Sequence, residues 1–315
     1  MVRSTLSRND LAAACCVVLI WGTNFIAMKL ALGYFTPFQL GAARYVFAVL
    51  PLIFFIRPPR MHWKWVVLYG LFQGVGQFGL LFLALHVGMT AALASVLVQT
   101  QVFFTALFGF ALLGERVGRS LQIGLALAAC GLACFGLNYL RPGNAAAAAA
   151  SSPAGFALCL AAAAMWAASN IVVRRSQKAT PNFDAVGFMV WSGLVPIVPF
   201  VMLSLAFDAP AARWRWMHAP LSSWLSIAYL GWIATILAYA LWTSLIKRHA
   251  VNRVAPFSLG VPIVGLTSGI VVLNEVVTPW QWAGIALLVG ALASVLSAGL
   301  LQRGPQNAAA ARPLR

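Results

Sequence analysis

Ten runs of roughly 20 mostly apolar residues follow one another along this 315-residue chain. As helices, each is long enough to cross the roughly 30 Å hydrocarbon core of a bilayer. They fall at about 11–32, 37–56, 65–86, 90–113, 119–140, 154–173, 185–207, 222–246, 254–273 and 280–301. The runs are continuously apolar rather than alternating, which excludes a transmembrane β-barrel. Composition agrees: 62% of residues are hydrophobic and only 8% are charged, against about a quarter charged in soluble domains. The expected class is an all-α integral membrane protein with ten transmembrane helices.

A net charge of +16 in a soluble chain would point to nucleic acid. Here the basic residues cluster in the short gaps between apolar runs, the pattern that sets membrane orientation. With the N-terminus inside, only Lys29, Arg44, Arg141, Arg213 and Arg215 of the 21 Lys and Arg fall elsewhere, leaving 16 on the cytoplasmic side. That asymmetry predicts both termini in the cytoplasm, an even number of spans and no nucleic-acid partner. The first apolar run continues through Leu32, too long for the core of a cleaved signal, so it is expected to be a retained first helix.

The chain repeats itself. GERVGRSLQIGLALAACG from Gly114 aligns with NEVVTPWQWAGIALLVGA from Asn274 at an offset of 160, placing Glu115 on Glu275 and Gly124 on Gly284. Trp21 and Asn24 are echoed by Trp166 and Asn170, and a basic residue follows each pair, Lys29 and Arg174. Five spans per half is an odd number, so the second half is expected to be inverted. Two inverted five-helix repeats are an architecture of transporters, whose halves rock about a midplane site. The halves expected are 11–140 and 154–301, joined by a linker at 141–153 (RPGNAAAAAASSP) and followed by a cytoplasmic tail at 302–315. Cys15, Cys16, Cys130, Cys134 and Cys159 all lie in apolar runs. Cys130 and Cys134 share a helix face, but with no His or carboxylate near them in sequence a metal or disulfide role is the lesser reading, and small buried packing residues are expected.

The segments WGTNFIAMK, LGAARYVFA, GMTAALASVLVQTQVFFTALFGFALLGER and RVAPFSLGVPIVGL resemble the EamA-type branch of the drug/metabolite transporter superfamily. Within it they are most similar to bacterial exporters of O-acetylserine and cysteine. The resemblance runs from Leu11 to Leu301. It implies two EamA-type five-helix repeats in the inner membrane, and export of small amino-acid-like metabolites by alternating access.

Polar residues within spans are costly and mark cavities or helix contacts. Asn24 sits too deep to reach an interface, so it faces substrate or a neighbouring amide, as does its counterpart Asn170. Lys29 lies near the outer end of its span, where substrate contact, gating and snorkelling are all open. Arg44 fits a substrate carboxylate, a helix–helix hydrogen bond or a headgroup equally well. Gln73 and Gln77 share a helix face, beside Gly70 and Gly74, which would admit a close neighbour. Ser95 and Gln99 share another face, with Gln101 expected to point elsewhere; Gln99 is the favoured contact of that helix. Amides and hydroxyls suit a zwitterion, because they bind both ends without a buried fixed charge. Trp21 and Trp166, on the Asn-bearing helices, are expected to shape the cavity. Pro256 and Pro262 either free carbonyls for a ligand or kink their helix.

Glu115 and Glu275 stand at span ends and are expected to cap helices or pair with loops. No carboxylate lies mid-membrane, so the usual acidic proton relay is missing, and facilitated diffusion, exchange and proton coupling stay open. The chain shows no clustered nucleophile and base, no metal-ligand cluster and no P-loop. A small-molecule transporter without cofactor or metal, rather than an enzyme or an ATP-driven pump, is the expected function. The competing readings are export of other amino acids, drugs or nucleotide-sugar-like metabolites on the same fold and, from another class, an intramembrane enzyme. Monomer and homodimer are both left open.

Overall fold

The computed structural model describes residues 7–115, 118–140, 152–180, 183–249 and 251–301, and among these every regular element is helical. In chain order the apolar helices are α1 (Arg8–Ala31), α2 (Pro37–Ile53), α3 (Trp63–His86), α4 (Ala91–Leu113), α5 (Arg119–Tyr139), α6 (Pro153–Ala179), α7 (Ala185–Phe207), α8 (Leu221–Ile246), α9 (Pro256–Leu273) and α10 (Pro279–Val295). Eight are long and apolar enough to cross a membrane and α2 is shorter, while the helix that begins as α10 continues to Leu301. At 1.5 Å per residue α2 spans about 25 Å. It stops short of the expected 37–56, because Phe54 and Phe55 turn out of the helix and are exposed. The expected linker, apart from Ser152 and Pro153, and the expected tail lie outside the described residues.

Helix starts follow local chemistry. Ser7 and Asp10 form a reciprocal capping box at α1, and Thr36 and Gln39 do the same at α2. Thr90 caps α4, Ser152 caps α6 ahead of Pro153, and Asp184 accepts from the amides of Val186 and Gly187 at α7. Two helices end in the left-handed conformation at matching sequence positions: α4 at Gly114 (φ +67°) and α9 at Asn274 (φ +53°). Asn tolerates that region better than any β-branched or bulky residue. The α6 helix runs six residues past its expected end at 173, carrying Arg174, Arg175 and Lys178 beyond the apolar stretch.

Two helices widen in the middle. Gly70–Phe78 of α3 and Tyr229–Leu237 of α8 are π-helical, a form that marks functional sites because it loosens the carbonyl ladder. A 3₁₀ turn interrupts α4 at Val98–Thr100, another (Ala255–Leu259) forms the first turn of α9, and α7 breaks at residues 193–196, just before and at Pro196.

Packing relies on close approach. A Cβ at Gly74 would collide with Pro196 of α7, and one at Gly265 with Ser95 of α4. The neighbour expected for the Gly70/Gly74 seam is therefore α7. At the Gly265 contact Ser95 donates its hydroxyl to the Ala92 carbonyl. The outward surface carries Phe207, Val271 and Leu221 in the open, as a lipid-facing surface requires. Of the cysteines only Cys159 is buried; Cys15, Cys16 and Cys130 are exposed and Cys134 is half-buried, and all five are free thiols. The expectation of buried cysteines fails at these positions because they lie on outward helix faces, where an apolar thiol is at home in lipid.

Candidate functional site

A cavity of about 360 Å³ lies between the helices, within the usual range for small-molecule sites. Seven of the eight residues expected at a site line it: Trp21 and Asn24 from α1, Arg44 from α2, Gln77 from α3, Gln99 from α4, and Trp166 and Asn170 from α6. Lys29 does not. Its ammonium donates to the carbonyls of Leu85 (3.0 Å) and Met89 (2.8 Å), away from the cavity.

The most unusual group in the cavity wall is Arg44. It is 3% exposed, its guanidinium carbon lies 3.7 Å from the centroid of the Phe78 ring, and Nη2 donates to Thr235 Oγ1 at 3.3 Å. Nη1 is buried without a hydrogen-bond partner. No Asp or Glu lines this cavity or the small adjoining one that Arg44 shares with Tyr45, Tyr69 and Tyr239. A buried cation without a counter-ion is costly, and an anionic ligand group would relieve that cost.

Across the wall, Asn24 Oδ1 is also buried and unpartnered. Four other amides, Gln73, Gln77, Gln101 and Asn170, are engaged with one another or with hydroxyls. Ser169 donates to Gln73 Oε1 at 2.6 Å, and Gln73 Nε2 donates to Gln77 Oε1 at 2.9 Å. Asn170 Nδ2 donates to Gln101 Oε1 at 2.9 Å and to Thr105 Oγ1 at 3.1 Å. Gln101 therefore does reach the cavity alongside Gln99, against expectation. The 3₁₀ turn at Val98–Thr100 changes the angular step there, and the cavity extends around both sides of α4.

The π-helical segments contribute directly. In α8 the Ala234 carbonyl accepts from Trp21 Nε1 at 3.0 Å, and the Leu230 carbonyl accepts from Thr235, five residues on, at 2.8 Å. The Trp21 ring packs against Tyr239 and Trp242, with centroids 5.1 and 5.5 Å apart. In α3 the π segment carries Gln73, Gln77 and Phe78. Thr235, Phe78 and Tyr69 carry no sequence signal that separates them from ordinary membrane residues.

A second cavity of about 400 Å³ adjoins the first through Gln101, Val102 and Asn170 and continues to Glu115 and Arg174. There Arg174 Nη1 lies 2.8 Å from Glu115 Oε2, with the side chains 43% and 46% exposed. At the opposite end of α4, Glu275 accepts from the amides of Ala91 (2.7 Å) and Ala92 (2.8 Å). The two ends of this 23-residue helix are about 34 Å apart, so the two glutamates sit at opposite faces. Among the described residues no group of three His, Cys, Asp or Glu is placed to hold a metal.

The sequence matches the EamA-like transporter family twice, over residues 10–137 and 153–297. A protein of Salmonella typhimurium (strain LT2) named "Probable amino-acid metabolite efflux pump" is 37% identical over 288 residues, covering 91% of this chain and 94% of its own length. Its namesake in Escherichia coli (strain K12) is 35% identical over 291 residues, with the same coverage. An uncharacterized transporter of Bacillus subtilis is 25% identical over 284 residues, covering 88% and 90%. One solved crystal structure, 22% identical, covers 95% of this chain and all of its own at a TM-score of 0.58, a likeness of fold.

Proposed function

Because the chain belongs to the EamA-like transporter family and is a multi-pass membrane protein, we propose that it exports a small zwitterionic amino-acid metabolite of the O-acetylserine or cysteine type. One observation carries the substrate class. The cavity is walled by a single buried cation lacking a counter-ion, Arg44, and by an unpartnered acceptor, Asn24 Oδ1. One guanidinium matches one carboxylate, and a buried amide oxygen matches an ammonium. A nucleotide sugar carries a diphosphate and would call for more fixed positive charge. The names of the two efflux-pump relatives point the same way.

The architecture that serves this function is ten spans in two inverted repeats, 11–140 and 154–301, in a bacterial inner membrane with both termini cytoplasmic. Support comes from the two family matches, from the Lys and Arg asymmetry, and from paired features. The π-helical segments begin at residues 70 and 229, and the left-handed helix ends fall at 114 and 274. In this orientation the second cavity opens towards the cytoplasm while Lys29 and Glu275 lie at the outer face. The site alternates between the two faces as the halves rock.

Efflux of preloaded, labelled O-acetylserine and cysteine from proteoliposomes, with and without a pH gradient, tests this. Efflux faster than from empty liposomes, and lost for the methyl ester and for the decarboxylated amine, is the expected result. Equal efflux of the decarboxylated amine would overturn the role of Arg44. No efflux of any amino acid from folded protein would overturn the substrate class.

A further inference from the structure

The two faces of the protein carry the same set of groups in two different arrangements. At the outer face Asn274 turns the chain so that the Glu275 amide donates to the Gly269 carbonyl at 3.3 Å. The Glu275 carboxylate then straddles the first amides of α4, at Ala91 and Ala92. Lys29 grips the end of α3 through the Leu85 and Met89 carbonyls. A carboxylate on a helix start and an ammonium on a helix end each complement the local backbone charge. Together they tie α1 and α9 to the α3–α4 corner.

At the other face Gly114 makes the same turn, and the Glu115 amide donates to the Gly109 carbonyl at 3.2 Å. Here the carboxylate pairs instead with Arg174 in the open second cavity. Adding 160 to the four backbone partners of the outer face gives the carbonyls of Leu245 and His249 and the amides of residues 251 and 252. These lie at the end of α8 and at the start of the helical run that leads into α9. The cationic partners match too, at the 145-residue offset that also relates Trp21 to Trp166, since Arg174 and Lys29 occupy corresponding positions on α6 and α1.

We propose that Lys29 with Glu275, and Arg174 with Glu115, form two copies of one latch that engage in turn, resting on the transport reading given above. In the conformation described the outer latch is engaged and the inner one is released. To close the inner face, Glu115 leaves Arg174 for the amides of residues 251 and 252, and Arg174 takes the carbonyls of Leu245 and His249. At the outer face Glu275 leaves Ala91 and Ala92 and pairs with Lys29. Each carboxylate thus exchanges a helix start for a side-chain cation, so neither state strands a charge. These four residues are positioning residues of the transport cycle and not substrate ligands.

The test reads conformation rather than transport. In a variant whose five native cysteines are replaced by Ala, Ala106→Cys places one thiol in the second cavity. Its labelling by a membrane-impermeant maleimide is measured in inside-out vesicles. Releasing the outer latch with Glu275→Gln or Lys29→Met is expected to slow labelling about two- to fivefold, the scale of a charge at a helix terminus. Disabling the inner latch with Glu115→Gln or Arg174→Met is expected to leave labelling as fast or faster. Shifts of the same sign from both glutamate variants, or none from either with normal detergent elution profiles, overturn the latch. Opposite shifts without amino-acid efflux would keep the latch and reject the substrate. Efflux with unmoved labelling would do the reverse.

Discussion

The guanidinium of Arg44 lies flat over the Phe78 ring, 3.7 Å from its centroid. Among the described residues the ring's negative face and a hydrogen bond to Thr235 are the partners this cation is given. A cation–π contact of this kind is worth about 1–2 kcal/mol when desolvated, short of the several kcal/mol needed to bury an ion. The protein therefore holds its cation partly uncompensated, so a ligand carboxylate is bound at a gain. Arg44→Gln is expected to weaken amino-acid binding by about 2–4 kcal/mol, roughly 30- to 1,000-fold. The same change should raise the unfolding temperature in detergent, because an unpaired buried charge is removed. Arg44→Lys should recover little transport, since an ammonium neither stacks on Phe78 nor presents a fork to a carboxylate. A lower unfolding temperature for Arg44→Gln, with transport intact, would make this arginine a structural tie.

Asn24 and Gln99 line the cavity from α1 and α4, and Asn24 Oδ1 has no protein partner. Replacing each with Leu removes its hydrogen-bonding groups and leaves an apolar side chain in its place. Asn24→Leu and Gln99→Leu are expected to abolish efflux while leaving membrane insertion and detergent elution unchanged. Stability should hold or rise slightly, because a buried polar atom without a partner costs about 1–3 kcal/mol. Unchanged efflux in both variants would remove these residues from the site.

The helices were legible in the sequence because a bilayer demands an apolar run of fixed minimum length, and length is easy to read. The polar wall was legible for a related reason: Asn24, Arg44 and Gln77 are too costly in a span to be there idly. Where the wall lies is less legible. Gln101 was expected to point away because an α-helix turns about 200° in two residues, and the 3₁₀ turn before it was not visible. The π segments that free carbonyls for Trp21 and Thr235 leave no mark in hydropathy. Lys29 had the composition of a site residue, but its partners are backbone carbonyls some 60 residues away, which carry no sequence identity at all.

Two glycines that look alike in sequence should respond oppositely to a methyl group. Gly74 faces Pro196 so closely that a Cβ has no room, whereas a Cβ at Gly136 in α5 meets nothing within 4 Å. Gly74→Ala is expected to destabilise by about 1–3 kcal/mol through overpacking, lowering the unfolding temperature and separating α3 from α7. Gly136→Ala should instead stabilise by roughly 0.5–1 kcal/mol, by restricting the backbone of a helix interior. Thermal unfolding of both in the same detergent checks the pair, and equal effects would mean that α3 and α7 pack less closely than described.

Asp10 ties the start of α1 to the end of α8. Its side chain is fully buried, with Arg248 Nη1 at 2.9 Å from Oδ1 and His249 Nε2 at 2.9 Å from Oδ2, and Oδ2 also accepts from the Ser7 amide and hydroxyl. Asp10→Asn removes the charge that Arg248 faces and breaks half of the capping box. Arg248 is 44% exposed, so solvent screens part of its share. The cap alone is worth about 1 kcal/mol, and the buried acceptor contacts about as much again. A loss of about 2 kcal/mol is expected in thermal unfolding, with Ser7→Ala losing about half of that and the double variant no more than Asp10→Asn. Sub-additivity follows because both changes act on the same box; full additivity would mean that Ser7 and Asp10 stabilise α1 independently.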